Sequence, residues 1–88
     1  MRSSFLSNPL SEPVCDPKRR FGASVRWWRS HLGITQKELA DRAGLHRSYV
    51  CGIERGARNL SLENIERVSR ALEISMSTLF FYGGAQAG

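Results

Sequence analysis

Cysteine and histidine are scarce in this chain, two of each. Cys15 and Cys51 form no CxxC pair and belong to no Cys/His quartet, so no metal site is expected. Cys15 falls in a polar stretch and Cys51 in a helical pattern. No disulfide between them is expected, and a reducing cytoplasm suits the chain. Neither His31 nor His46 has an acid and a nucleophile at a convincing spacing, so an enzyme is not expected. No apolar run approaches the roughly 18 residues of a membrane span, and no signal-peptide core is visible. Acids are also short: eight Asp/Glu stand against thirteen Lys/Arg, a net charge of +5. The 88 residues suffice for one small domain.

The positive charge is unevenly spread. Between Lys18 and Arg58 there are ten basic residues and three acidic ones. From Asn59 onward, Arg67 and Arg70 face Glu63, Glu66 and Glu73, a near-neutral balance. A basic half beside a neutral half is the arrangement that phosphate neutralisation needs.

The basic half contains the most informative stretch, Gln36–Arg55, QKELADRAGLHRSYVCGIER. It reads as two short helices joined by a tight turn. The first is predicted over about Thr35–Arg42, with Leu39, Ala40 and Ala43 apolar; the second over about His46–Arg55, with Val50 and Ile53 apolar. Thr35 and Glu38 form a capping-box pattern at the start. Gly44 stands where the chain must reverse, because glycine alone takes a left-handed conformation without steric cost. This is the pattern of a helix-turn-helix, whose second helix enters the DNA major groove. At 100° per residue, Arg47, Ser48, Cys51 and Arg55 fall on the face opposite Val50 and Ile53. Gly52 sits inside this helix at a cost of about 1 kcal/mol relative to alanine, and would let the helix approach a second surface closely.

Residues 1–16, MRSSFLSNPLSEPVCD, hold two of the three prolines and four serines and read as a flexible arm. The domain then spans 17–82. Asp16-Pro17 opens a first helix whose core stripe is Phe21, Val25, Trp28 and Leu32, with Trp27 pointing away and Gly33 closing it. Gly56 is expected to cap the second helix of the motif. Ser61 caps a fourth helix with an inner stripe of Leu62, Ile65, Val68 and Leu72. A last short helix is predicted over about Ser75–Phe81, with Leu79 and Phe80 facing the core. Residues 83–88, GGAQAG, read as a flexible tail.

Three segments together, FGASVRWWR, LGITQKELADRAGL and RSYVCGIERGARNLSLENIERVSRALEI, closely resemble the Cro/repressor (XRE) type of helix-turn-helix domain. The run RSYVCGIERGARNLSL is most similar to controller proteins of restriction–modification operons. Trp27-Trp28 and the long N-terminal extension depart from the family pattern. The resemblance implies an all-α, compact five-helix bundle of the lambda-repressor-like kind that binds palindromic operators as a dimer. It also implies an ion pair between Arg29 and Glu54, orienting the reading helix.

The expected function is sequence-specific transcription regulation at a double-stranded DNA operator, by a homodimer in the cytoplasm. No cofactor, small-molecule ligand or membrane partner is expected. Arg47 is the best candidate for a bidentate contact to guanine, with Ser48, Tyr49, Cys51 and Gly52 completing the base-reading surface. Thr35, Gln36, His46, Arg55, Arg58 and Asn59 are the expected phosphate contacts. Leu79, Phe81 and Tyr82 are the expected dimer surface, away from the basic half. The alternative is an antitoxin-type interaction module whose arm, 1–16, folds on a protein partner.

Overall fold

The computed structural model describes the backbone of residues 16–87 and the side chains of 16–81. The expected N-terminal arm, apart from Asp16, lies outside the described residues. Five helices follow one another: α1 (Pro17–Leu32), α2 (Gln36–Ala43), α3 (Arg47–Glu54), α4 (Leu62–Ala71) and α5 (Met76–Ala87). The described residues contain no strand. α3 packs on α1 and α2, α5 packs on α1, and α4 lies against α2 and α5.

Local chemistry sets most helix ends. Asp16 Oδ1 accepts from the Lys18 N–H at 3.0 Å and Pro17 takes the first helical position. Thr35 and Glu38 form the reciprocal capping box, at 3.0 and 2.8 Å. Ser61 Oγ accepts from the Asn64 N–H at 3.1 Å, and Ser75 Oγ from the Thr78 N–H at 3.0 Å. The turn between α2 and α3 depends on Gly44, whose φ is 71°. The Gly44 and Leu45 N–H groups then donate to Asp41 and Ala40 carbonyls, the pattern of a Schellman motif, and Leu45 packs on the core. At the end of α3 the cap is Arg55, still right-handed; Gly56 follows it with φ 75°.

The core joins all five helices through Phe21, Val25, Leu39, Ala40, Val50, Ile53, Val68, Leu72 and Leu79. α1 and α3 cross closely at Gly22. A Cβ there would collide with the Ile53 carbonyl oxygen and stand 2.9 Å from that of Glu54. Ser24 Oγ donates to the Leu79 carbonyl at 2.6 Å, a buried polar tie between α1 and α5.

Four expectations about the helices fail. Leu32 is exposed: Gly33 turns the chain and Ile34 takes the buried place. Leu62 is 73% exposed, because the first turn of α4 overhangs the core while Leu60 and Ile65 pack against it. Phe80 is half exposed, although its ring centroid lies 5.4 Å from that of Phe21. The tail expected after Tyr82 continues α5 to Ala87, through Gly83 and Gly84. The helical hydrogen-bond ladder there outweighs a cost of about 1 kcal/mol per glycine relative to alanine.

Candidate nucleic-acid interface

α3 is the element around which the site is built. Val50 and Ile53 are fully buried and fix its inner face. On the opposite face Arg47, Ser48 and Arg55 are exposed and Cys51 is half-buried. With Arg58 from the following loop they line a shallow open hollow of about 390 Å³. The ion pairs among the described residues, such as Lys37–Asp41 and Arg42–Glu73, include none of Arg47, Arg55 or Arg58. Among the described residues, then, three guanidinium groups share one surface with no carboxylate paired to any of them, which favours a polyanion.

The far end of α3 is held by Glu54. Arg29 Nε donates to Glu54 Oε2 at 2.7 Å and Arg29 Nη2 to Oε1 at 3.1 Å, a two-pronged contact. Arg29 Nη1 reaches the Ile34 carbonyl at 3.0 Å, and Gln36 Nε2 donates to Glu54 Oε1 at 3.0 Å. The Glu54 side chain is 4% exposed. One buried carboxylate thus joins α1, the first residue of α2 and the last residue of α3. Every oxygen of that carboxylate has a donor, so the charge is compensated where it sits. The orientation of α3 on the bundle follows from this knot as much as from apolar packing.

The near end is held by Tyr49. Its hydroxyl donates to the Asn59 carbonyl at 3.3 Å and accepts from Asn64 Nδ2 at 3.1 Å. The Arg58 guanidinium carbon lies 5.4 Å from the centre of its ring. Tyr49 is half-buried and engaged with the α3–α4 loop, not extended from the helix like Arg47.

Several candidate residues stand differently from expectation. Gly52 is buried, and the Arg58 side chain runs over it. Leu79 is fully buried within the protomer and cannot form a dimer surface, because α5 packs that residue against α1. Phe81 is 76% exposed, while the side chain of Tyr82 lies outside the described residues. Thr35 and Gln36 sit at the start of α2, but the Thr35 hydroxyl accepts the capping bond and the Gln36 amide serves Glu54. His46 is the exposed N-cap residue of α3 and makes no capping bond with its side chain; Asn59 is exposed in the loop. Asn64 was missed as a member of this cluster. Its position three residues after a capping serine gave only a helix-start signal.

A helix with an exposed arginine at each end of its outer face, set behind a glycine turn on a capped partner helix, is the geometry of a helix-turn-helix. The family model described as Helix-turn-helix matches residues 25–79. The chain belongs to this family. It is similar to the control protein C.BamHI of Bacillus amyloliquefaciens, 47% identical over 60 residues, 67% of this chain and 74% of that protein. Among solved structures it is similar to the restriction–modification controller protein C.AhdI from Aeromonas hydrophila. That match has 46% identity and a TM-score of 0.68 over 69% of this chain and 92% of the other. A tetramer of the controller protein C.Esp1396I, in complex with its natural 35 base-pair operator, matches with 31% identity and a TM-score of 0.71. That match covers 77% of this chain and 90% of the other. The similarity places this helix-turn-helix protein with the controllers in sequence and in fold. No described helix is long and apolar enough to cross a membrane.

Proposed function

We propose that this protein is a sequence-specific transcription regulator that binds an inverted-repeat operator as a homodimer and controls a restriction–modification operon, its own gene included. The carrying observation is the surface that Arg47 and Arg55, at the two ends of α3, form with Arg58 of the following loop, on a helix clamped at both ends. Rigid clamping lets an arginine fork address one base edge in a defined register. The controller relatives support the choice of operon.

In this reading Arg47 is the guanine reader and Ser48 and Cys51 line the same groove surface. Arg55, His46 and Asn59 follow the sugar–phosphate path, together with the N–H groups at the start of α2. A single motif reads only a few base pairs. A two-fold dimer doubles the read-out and requires half-site centres about 34–36 Å apart. The exposed Phe81 on α5 is the centre of the dimer contact, on an element that packs behind α1. Footprinting on the DNA upstream of its coding region tests this reading. A protected inverted repeat is the expected result; uniform, sequence-independent retention of DNA would overturn it.

A further inference from the structure

The glycine inside α3 is costly in a helix and buried, and the atoms that a Cβ on it would meet most closely all belong to one side chain. A Cβ built on Gly52 would stand 2.8 Å from Arg58 Cγ, 3.0 Å from Nε and 3.4 Å from Cδ. The aliphatic stem of Arg58 therefore lies along the helix, in the space that any other residue at this position would fill. We propose that Gly52 is a positioning residue for DNA recognition: it leaves open the seat in which Arg58 lies, and so sets where that guanidinium meets the duplex. This rests on the operator-binding reading above and assigns to Gly52 a role exerted through Arg58.

Three further observations agree with it. Arg58 lies beside Arg47 and Arg55 in the same hollow, where like charges would drive a long exposed side chain outward into solvent. It is held in place instead by its stem on Gly52 and by the face of the Tyr49 ring. That ring is itself fixed, because the Tyr49 hydroxyl is bonded to Asn59 and Asn64. The order of dependence runs from α4 through Tyr49 to Arg58, with Gly52 as the floor. A pre-placed arginine gives up less rotamer freedom on binding than one that swings freely from a loop.

The test is a double-mutant cycle on the full chain, using Gly52→Ala, Arg58→Ala and the double variant. The probe is a duplex selected from a random pool by the wild-type protein, with a scrambled duplex as control. Gly52→Ala is expected to weaken binding to the selected duplex about tenfold, and less than about twofold when Arg58 is already alanine. Its melting temperature should hold or rise, since alanine favours the helix. An equal loss in both backgrounds would overturn the proposal, because the methyl would then act on the DNA directly. So would wild-type affinity in Gly52→Ala, or a fall in melting temperature parallel to the loss of affinity. Failure of the wild-type protein to select any duplex would instead remove the operator-binding reading, and this proposal with it.

Discussion

The two halves of this small bundle share one apolar core and differ in what is added to it. Around α3, the chain uses a buried ion pair, side-chain hydrogen bonds and two glycines over which a helix or a side chain passes closely. Around α4 and α5 it uses apolar burial, with Val68, Leu72 and Leu79 fully enclosed and the buried Ser24 hydroxyl tying α1 to α5. The distinction has a physical reason. Apolar contacts are non-directional and fill space. Hydrogen bonds and ion pairs hold angles. The half that carries the arginine face needs its helix at a fixed angle; the other half needs only to be closed.

Substitutions can break this contrast, and the largest effect is expected at the ion pair. Glu54→Ala leaves the largely covered Arg29 without its partner and should cost about 3–5 kcal/mol of folding stability, read by urea denaturation. A loss below about 1 kcal/mol would place the pair among surface contacts. Next is the helix crossing. Gly22→Ala drives a methyl into the backbone carbonyls of Ile53 and Glu54 and should cost about 1–3 kcal/mol in the same assay. A neutral result would mean that α1 and α3 can separate freely.

Arg47→Ala then separates binding from folding. It should lose about 1–3 kcal/mol of operator affinity and relax preference at one base pair of each half-site. Its thermal melting should be unchanged, because Arg47 is exposed. Full discrimination in that variant would remove Arg47 as a reader. In the other half, a substitution should alter assembly and leave folding nearly untouched. Phe81→Asp should change stability by no more than about 0.5 kcal/mol and yet give a monomer in sedimentation. A variant still dimeric at micromolar concentration would move the interface elsewhere.

Much of the fold was legible because it is written in short-range chemistry. Asp16-Pro17, Thr35 with Glu38, Gly44 and Ser61 each act within a few residues of themselves, and each sits where its local rule puts it. The helix periods of Phe21 and Val25, of Val50 and Ile53, and of Val68 and Leu72 mark inner faces for the same reason. Periodicity was weaker at helix ends. Leu32 and Leu62 keep the period of their helices but lie where no described helix covers them. In the run Leu79-Phe80-Phe81, consecutive apolar residues leave no period to read, so the inward residue was settled by α5 resting on α1. Arg29 and Glu54 were named through the family resemblance; nothing in their separation of 25 positions pairs them.

By itself, the sequence determined the five helices, the reversal at Gly44 and the arginine face of α3, because propensity, capping and charge are properties of neighbours along the chain. Tertiary structure alone decided that Phe80 is half outside, that Gln36 joins Arg29 on Glu54, and that Arg58 lies across Gly52 against Tyr49. Those are meetings between residues on different elements. Their geometry depends on how helices cross, and on which side chains are left with space once they have.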